Sequence, residues 1–503
     1  MEIELKLVGR EADLARLGRL PLVREARLGR AQTRLLHSVY YDTPDHDLAA
    51  RGMALRLRRV GSRWIQTFKC GGAVDAGLHQ REEFEAPATA QLLNMQALLA
   101  TPAADLFSET RFRDRLSPVF STAFRRTRWN IAVGPGSTAE LALDLGRIEA
   151  GERSEPIHEI EIELLEGDAA HLLTFAHALL EALPLRLENA SKAERGYALQ
   201  AGRGRAPARA TTPALEARAP VADGFHAIAA NCAAHLLGND RGVIESDDPE
   251  YIHQARVAIR RLRSAFSLFR PYVPRESLGD LPDRFRALAE VLGSARDWDV
   301  FVTETLPPVR ARLGAVPGLA EVEARATALG GARRTDARAA LSAPTYGHLL
   351  LDFLARLRAR PWAAVEDGPA DGNLRGCARA VLRRQYKRVC RRGRAADRND
   401  ALSLHALRIE IKKLRYALEF LAPLFPAKAV RGFVRGTADL QDVLGRLNDE
   451  AVTERLLQSL GDTDAEMSHA TGIVRGWAHA RAEAGLARFD AAWRAFEKLD
   501  PFW

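Results

Sequence analysis

The sequence predicts two domains of different class: an α+β domain at the N-terminus and an all-α domain of two pseudo-symmetric helical bundles at the C-terminus. Three observations predict them. Short segments of alternating polar and apolar residues recur up to about residue 200. Long segments rich in Ala, Leu, Arg and Glu follow from about residue 221. Within this second part, two motifs recur at a fixed distance.

Composition narrows the class of protein. The chain has 503 residues, of which 47% are hydrophobic, enough for more than one packed domain. A formal net charge of +8 and a pI near 9.5 indicate an anionic partner. Because no run of about 18 apolar residues occurs and charges begin at residue 2, we expect no membrane partner and no secretory leader. The four scattered cysteines form no CxxC pair, so we expect a cytoplasmic protein with reduced thiols.

Residues 201–220, AGRGRAPARATTPALEARAP, separate the two predicted domains. The stretch is rich in Ala, Arg, Pro and Gly and has no apolar period, which is typical of a linker. We therefore expect one domain over residues 1–200 and a second over residues 221–503.

The first predicted domain contains segments with the alternation of strands. They cover residues 2–7, 37–41, 54–58, 64–69, 80–85, 126–133, 140–144 and 157–165. Helical stretches near residues 11–20, 88–99 and 168–183 interrupt them. We therefore expect the first domain to combine β-strands with flanking helices.

Charged residues repeatedly share one face of these strands. Residues i and i+2 of a strand point the same way, so Glu2, Glu4 and Lys6 oppose Ile3, Leu5 and Leu7. The same rule aligns Arg56, Arg58, Lys69, Glu83, Glu85, Arg126, Arg128, Glu140, Asp144, Glu159, Glu161 and Glu163 on the charged faces of the other strands. A single such strand is typical of an ordinary sheet with one solvated face. Repetition in seven strands favours a closed sheet whose charges converge in a channel.

A channel with charges of both signs suits a particular ligand. Arg and Lys bind phosphate oxygens, whereas carboxylates alone would repel a polyanion. Carboxylates next to phosphates therefore indicate a divalent cation between them, and Mg²⁺ and Mn²⁺ prefer such oxygen ligands. The pattern predicts metal-assisted attack of water on phosphorus.

The motifs of this half resemble those of the CYTH domain, or triphosphate tunnel metalloenzyme. In chain order they are the opening ExExK, YYDTPDHDL at 40–48, RGMALRLR at 51–58, the strand with Lys69, REEFE, ELALDLG at 140–146, EIEIEL and SKAERGY at 191–197. The resemblance covers about residues 1–200 and implies an eight-stranded antiparallel β tunnel that binds triphosphate compounds.

The resemblance also implies roles for the charged residues. The implied metal ligands are Glu2, Glu4, Asp144, Glu159, Glu161 and Glu163, with Mg²⁺ or Mn²⁺ as the cofactor. The implied substrate-binding residues are Lys6, Arg56, Arg58, Lys69, Arg126, Arg128 and Lys192. We expect Glu4, Lys6 and Lys69 to be catalytic.

The substrate is less well defined, because an inorganic triphosphatase, a thiamine triphosphatase and a class IV-type adenylate cyclase all fit such a tunnel. Recognition of thiamine or a nucleoside needs stacking or hydrogen-bonding groups at the tunnel mouth. By strand alternation, Trp64, Phe68 and Trp129 point outside. We therefore favour inorganic triphosphate, hydrolysed to diphosphate and phosphate. The other two activities, and a non-catalytic polyphosphate-binding scaffold, stay open as alternatives.

The helical half contains an internal repeat. HQARVAIRRLRSAF at 253–266 matches HALRIEIKKLRYAL at 405–418, and VLGSARD at 291–297 matches VLGRLND at 443–449. Both matches have an offset of 152 residues, as from 253 to 405 and from 291 to 443. We infer a duplicated helical unit, with copies at about 221–370 and 371–503.

Each copy carries a basic stripe on one helix. His253, Arg256, Arg260 and Arg263 lie within an arc of about 80°, and His405, Arg408, Lys412 and Arg415 repeat the arrangement. One such stripe is typical of a solvated amphipathic helix, but a histidine at the head of both copies favours a binding surface. These residues resemble the CHAD domain over about residues 221–503. That resemblance implies binding of inorganic polyphosphate, association with polyphosphate granules and no specific nucleic-acid partner. The oligomeric state is left unassigned.

Overall fold

The structure of the chain is a computed structural model that describes residues 3–71, 74–75, 78–79, 82–89, 92–202, 206–363, 373–398, 400–461 and 464–503. Four of the predicted features lie at least partly outside these residues: Glu2, positions 80–81 of a strand, residues 203–205 of the linker, and the boundary between the repeats near residue 370. The chain forms two compact units. The first is Met1–Pro207 with Ser342–Ala359, and the second is Ala208–Leu341 with Arg360–Trp503.

The first unit is built on one antiparallel sheet. Its strands are β1 (Ile3–Val8), β2 (Gln32–Asp42), β3 (Ala54–Val60), β4 (Arg63–Cys70), β5 (Val74–Asp75), β6 (Leu78–His79), β7 (Glu82–Ala88), β8 (Ser117–Gly134), β9 (Ser137–Ala150), β10 (Arg153–Glu166) and β11 (Arg186–Leu187). The pairing order is β5-β6-β1-β10-β9-β8-β2-β3-β4-β7, with β11 beside β1. Within the described residues the ladder is open between β5 and β7. The predicted antiparallel α+β class is confirmed, but the described residues form an open ladder of eleven strands and not the predicted closed tunnel of eight. Eight of the eleven strands have six residues or more.

Helices flank this sheet. They are α1 (Glu11–Leu14), α2 (Pro21–Ala26), α3 (Asp47–Ala50), α4 (Met95–Leu98), α5 (Ala104–Ser108), α6 (Thr110–Arg113), α7 (Ala169–Ala182), α8 (Lys192–Gln200) and, from later in the chain, α16 (Pro344–Ala359). The outward residues Leu5 and Leu7 are buried in a core with residues of α7, as the alternation of β1 predicts. Helix α16 packs on α7, where the rings of His177 and His348 stack 5.0 Å apart.

Helix α8 packs on the inner face of the sheet and not on its outer face. An apolar cluster on that inner face contains Phe120, Ile148 and Ala193, and the last of these belongs to α8. A Cβ on Gly196 would lie 2.1 Å from the Phe120 ring, so only glycine permits this close approach. The cluster fills one end of the inner space and leaves the charged residues at the other.

The second unit is all helical within its described residues. Its helices are α9 (Val221–Leu237), α10 (Asp240–Glu245), α11 (Pro249–Leu268), α12 (Arg275–Leu278), α13 (Leu281–Val300), α14 (Leu306–Leu313), α15 (Leu319–Ser342), α17 (Leu374–Arg394), α18 (Ala401–Leu421), α19 (Ala427–Leu460) and α20 (Ala465–Glu497). A shift of 152 residues carries α9, α11, α13 and α15 onto α17, α18, α19 and α20. The predicted all-α class is confirmed, and the sequence repeat corresponds to four pairs of helices.

A charged cavity in the sheet and a basic groove among the helices

The inner face of the sheet encloses a cavity of about 450 Å³. Its cationic lining residues are Lys6, Arg56, Arg58, Lys69, Arg126 and Lys192, and its carboxylates are Glu4, Glu83, Glu85, Glu161 and Glu163. Tyr40, Ala54, Thr67, Ser191 and Ala193 complete the lining. The structure thus brings together nine of the residues that the sequence assigned to substrate or metal. Positively and negatively charged side chains therefore lie next to one another in one enclosed space.

Pairing of β1 with β10 creates one wall of the cavity. Glu4 lies opposite Glu163 and Lys6 opposite Glu161 in the ladder. The Lys6 Nζ atom is 3.4 Å from Glu4 Oε1 and 3.7 Å from Glu161 Oε1. Glu4 Oε1 is buried and accepts no hydrogen bond. Burial, and then the adjacent Glu161 carboxylate, raises the pKa of Glu4 to about 7.

Three carboxylates lie close together at the back of this wall. Asp144, Glu159 and Glu161 each offer an oxygen within 4.8 Å of the others. The ammonium of Lys192 lies among them, with Nζ 2.7 Å from Asp144 Oδ2 and 2.9 Å from Glu161 Oε1, and it also contacts Glu159. Asp144 and Glu159 are fully buried and do not line the cavity. A cation from the chain itself therefore compensates this cluster.

Lys192 is placed by the first turn of α8. Ser191 caps that helix, accepting a hydrogen bond from the Glu194 amide while the Glu194 carboxylate accepts one from the Ser191 amide. Arg195, one turn further on, donates to Glu155 at 2.8 Å and to Glu159 at 2.9 Å. The motif SKAERGY thus supplies two cations to the carboxylates of β10.

The opposite wall comes from β3, β4 and β7. The Glu83 carboxylate lies 2.7 Å from Lys69 Nζ and 3.2 Å from Arg56 Nη2. Burial acts to raise the pKa of Glu83, but Lys69 and Arg56 outweigh it and the pKa is lowered. Thr67 donates to Glu85 at 3.2 Å. Glu83 therefore holds two of the predicted substrate-binding cations in place.

Arg58 is a cation without a carboxylate partner among the described residues. Its Nε donates to Ser38 Oγ at 3.1 Å. Burial, and then the neighbouring Arg56, lowers the pKa of Arg58 to about 9. Such a buried positive charge favours an anionic ligand. The neighbouring Tyr40 is buried and stacks on Phe120, with ring centroids 4.5 Å apart.

One predicted substrate-binding residue lies apart from the cavity. Arg128 forms an ion pair with Glu140 at 3.1 Å and donates to Gln32 at 2.8 Å, and its side chain is 38% exposed. No role was predicted from the sequence for Tyr40, Glu83, Glu85 or Arg195. The alternation in REEFE already aligned Glu83 and Glu85 with the charged faces, so that signal was present.

The second unit has a basic groove of about 490 Å³ between helices α11, α13, α18 and α19. From the two predicted stripes it takes His253, Arg256, Arg260, His405, Arg408 and Lys412, and it adds Arg296, Asn448 and Arg455. Arg263 lines an adjoining groove that shares Arg256 and Arg260 with the first. Arg415 lies in neither groove, and its guanidinium is 5.9 Å from the Tyr416 ring. Seven of the eight predicted stripe residues therefore meet at these grooves.

Crowding of cations determines the electrostatics of the basic groove. Burial, and then Arg408 and Arg260, lowers the pKa of Lys412 to about 7. Burial also lowers the pKa of His253 and His405. The carboxylates here are few, and Asp297 lies 3.4 Å from Arg256 and 2.6 Å from Arg455.

Fold and site together define a two-domain protein that joins a charged β cavity to a duplicated helical unit. Comparison with known families identifies both parts: a CYTH domain at residues 1–197 is followed by a CHAD domain at residues 227–458. Both resemblances found in the sequence are thereby confirmed.

Three known proteins illustrate these relationships. An inorganic triphosphatase of Haemophilus influenzae is 38% identical over 175 residues, which are 33% of this chain and 47% of that protein. The match thus spans about half of that relative. An uncharacterized protein of Mycobacterium tuberculosis is 27% identical over 94% of this chain and 92% of its own. The crystal structure of the CHAD domain from the plant Ricinus communis matches with a TM-score of 0.53 and 36% identity, over 59% of this chain and 98% of that domain.

Proposed function

We propose that the first unit is a metal-dependent inorganic triphosphatase that hydrolyses triphosphate to diphosphate and phosphate. The observation that carries this proposal is the cavity lining, in which six cations and five carboxylates face one enclosed space. The similarity to an inorganic triphosphatase over the CYTH part supports the same reaction class. We further propose that the protein acts in the cytoplasm, at deposits of inorganic polyphosphate.

The charge balance of the cavity supports a divalent cation. Among the described lining residues, five carboxylates nearly cancel six cations, so these residues alone offer little net charge to a triphosphate, which carries several negative charges. Mg²⁺ and Mn²⁺ are commonly held by one or two carboxylates together with substrate phosphates. The buried Glu4 Oε1 accepts no hydrogen bond and lies beside Glu161, as expected for oxygens that hold a metal.

We assign Glu4, Glu161 and Glu163 as the metal-holding residues, because all three line the cavity. Asp144 and Glu159 act behind them: they fix Lys192, and through it the orientation of Glu161. The cation, when bound, would neutralise phosphate charge and lower the pKa of a coordinated water.

The phosphates are bound by the cations of the opposite wall. Arg58 has no carboxylate partner among the described residues, and Arg56 and Lys69 share only Glu83. Guanidinium groups bind phosphate oxygens through two parallel hydrogen bonds, and Lys69 adds a point charge. A phosphate that displaces Glu83 from Lys69 and Arg56 would gain both cations without a change in the fold. Lys6, between Glu4 and Glu161, lies where it can contact both the carboxylates and a phosphate.

Selection of inorganic triphosphate over thiamine or nucleoside triphosphates follows from what the lining offers. Tyr40 is the one aromatic residue that the described part of the chain contributes to the lining, and its ring is buried against Phe120. Trp129 and Phe68 are buried in the outer cores and Trp64 packs against one of them, as the alternation predicted. No ring of the described lining is therefore free to stack on a purine or a thiazole.

The test is release of phosphate from tripolyphosphate, ATP and thiamine triphosphate with Mg²⁺ or Mn²⁺. We expect tripolyphosphate to be the preferred substrate and Glu4→Gln to lower its turnover at least a hundredfold. Glu140→Gln is the matched control, because Glu140 pairs with Arg128 outside the cavity lining. Preference for ATP with cyclic AMP as product would instead identify a cyclase, and full activity of Glu4→Gln would contradict its role.

We propose that the second unit binds inorganic polyphosphate in the basic groove. Cations outnumber acids there, and the pKa of Lys412 is lowered to about 7 because burial and the nearby Arg408 and Arg260 outweigh the attraction of Asp449. A linear polyanion would supply the missing charge along α11 and α18.

A scaffold without catalysis is the competing function, and two measurements separate the candidates. The triphosphatase assay above tests catalysis, and binding of the full chain to polyphosphate and to double-stranded DNA tests the groove. Polyphosphate affinity that falls with salt and exceeds DNA affinity is the expected result. Equal affinity for DNA would show that the groove binds polyanions without selectivity, by charge alone.

A further inference from the structure

Helix α17 carries a second basic surface on its exposed side. Every exposed residue of this helix is Arg or Lys, except Ala380. Positions 379, 383, 387 and 391 form one row at intervals of four residues, and positions 388 and 392 lie beside it. We call this surface the α17 basic face, and it consists of Arg379, Arg383, Lys387, Arg388, Arg391 and Arg392. The row of four is about 18 Å long at 1.5 Å per residue.

The α17 basic face is not a requirement of the fold, as the equivalent helix of the first copy shows. Helix α9 lies 152 residues earlier and has no exposed residue. Lys387 corresponds to His235, which is 4% exposed, and Arg391 corresponds to Asn239, which is 0% exposed. Two helices with the same position in the repeat therefore differ on this side in both charge and exposure.

The difference has a visible cause in the first copy. The segment just before α9 lies over it: Asn239 donates to the Ala208 carbonyl at 3.0 Å, and Asn231 donates to Thr211 Oγ1 at 2.7 Å. Asn231 corresponds to Arg383 of α17. In the second copy, residues 383, 387 and 391 remain exposed. One side of the repeat is thus covered by a stretch of chain without regular secondary structure, and its counterpart presents a row of cations.

These cations are poorly compensated. Arg379, Arg383, Lys387 and Arg391 form no ion pair with any described residue. Like charges four residues apart on a helix repel, so the row destabilises α17 when nothing is bound. A surface that keeps this cost on one copy only points to a ligand and not to solvation alone.

The basic groove is a separate place in the unit. Its lining residues come from α11, α13, α18 and α19 and the turns next to them, and none comes from α17. The proposed binding in the groove therefore does not account for the α17 basic face.

We propose that the α17 basic face is a second binding site for linear inorganic polyphosphate, and this rests on the polyphosphate binding proposed above. Arginine forks bind phosphate oxygens in pairs, and a row about 18 Å long suits an extended chain of phosphates. The exposed residues include no aromatic ring to stack on a base and no Asn or Gln to contact base edges. Those absences favour a polyanion of phosphate alone over nucleic acid.

The test compares two triple variants of the full chain. The first, Arg383→Gln with Lys387→Gln and Arg391→Gln, neutralises the row on α17. The control, Lys428→Gln with Arg431→Gln and Arg435→Gln, removes the same charge from exposed positions of α19. Affinity for polyphosphate chains of about 100 phosphates is measured at 50 and 200 mM salt, with poly-U RNA as the second ligand. Unchanged triphosphatase activity and circular dichroism show that each variant is folded.

We expect the α17 variant to bind polyphosphate more weakly than the control at 50 mM salt. The logarithm of the affinity falls linearly with the logarithm of the salt concentration, and three lost phosphate contacts reduce the size of that slope by about 2. Between 50 and 200 mM salt, the affinity of the α17 variant should therefore fall by a factor roughly fifteen times smaller than that of the unaltered chain. Equal slopes in both variants would overturn the proposal. A larger loss for poly-U than for polyphosphate would also overturn it, in favour of a nucleic-acid surface.

A third variant separates this proposal from the proposed groove. Arg256→Gln with Arg408→Gln alters the basic groove and leaves α17 intact. If only this variant keeps full affinity, the groove assignment fails and the α17 site stands. If only the α17 variant keeps full affinity, the α17 site fails and the groove stands.

Discussion

Lys412 should make the proposed binding of polyphosphate in the basic groove depend on pH. Burial and the neighbouring Arg408 and Arg260 lower the pKa of Lys412 to about 7 in the free protein. A bound phosphate favours the charged amine, so it raises that pKa toward the ordinary value of about 10.4. Binding above pH 7 therefore takes up a proton, and affinity is greatest below pH 7 and falls as the pH rises.

The size of the effect follows from these two pKa values. With a pKa of about 7 free and about 10.4 bound, affinity changes by nearly tenfold per pH unit, or about fiftyfold between pH 9 and pH 7. The range from pH 7 to pH 9 lies above that in which His253 and His405 titrate, because the pKa values of both are lowered. Long polyphosphate chains suit the assay, because their terminal phosphates, which titrate near neutrality, are a small part of the charge.

The internal repeat provides the variant that tests this reasoning. The position of Lys412 is occupied by Arg260 in the first copy, so Lys412→Arg keeps a charge that the groove already accommodates. Isothermal titration calorimetry at pH 7, 8 and 9 should show a steep pH dependence for the unaltered chain and a shallow one for Lys412→Arg, with Lys412→Gln weak and shallow. The explanation is refuted if Lys412→Arg keeps the full slope.

Three further predictions concern the first unit. Gly196→Ala should destabilise it by about 1–3 kcal/mol in thermal unfolding, because its Cβ would lie 2.1 Å from Phe120, and a raised melting temperature would contradict this. Arg195→Ala should cost about 3 kcal/mol in urea unfolding, because it leaves the buried Glu159 with one cation fewer; an unaltered midpoint would show that Lys192 suffices. Arg58→Ala should raise the KM for tripolyphosphate about tenfold or more while the fold is retained, and an unchanged KM would remove it from the substrate site.

Strand alternation predicted which face a residue occupies but not how deep it lies. Arg126 and Arg128 share a face of β8, yet Arg126 reaches Asp144 at 2.6 Å while Arg128 pairs with Glu140 beyond the cavity lining. The face that each side chain occupies follows from the two-residue period of a strand. Its distance from the cavity depends on the register, that is, on which residues of the neighbouring strands lie opposite it. The alternation therefore predicted which charged residues share the inner face, and only the strand register shows which of them reach the cavity.

Helices placed against the sheet were the second source of difference. The carboxylates Asp144 and Glu159 have the predicted orientation, but Lys192 on α8 lies between them. A strand pattern carries no information on which helix packs against its inner face. The same holds for α16, which lies within the predicted first copy at 221–370 and the predicted second domain but groups with the first unit. Long-range packing of this kind is not encoded in local periodicity.

The proposed functions have the two units bind anions by different means, and removal of metal should distinguish them. In the sheet cavity, five carboxylates offset six cations among the described lining residues, and the proposed function requires a divalent cation to bind a triphosphate and to assist hydrolysis. In the basic groove, cations dominate and Asp297 already bridges Arg256 and Arg455, so we expect the proposed polyphosphate binding to need no metal. A chelator should therefore abolish phosphate release from tripolyphosphate, and polyphosphate binding measured at the same ionic strength should stay unchanged. Hydrolysis that survives exhaustive chelation would show that the cations of the cavity act alone, and the carboxylates Glu4 and Glu161 would then need another explanation.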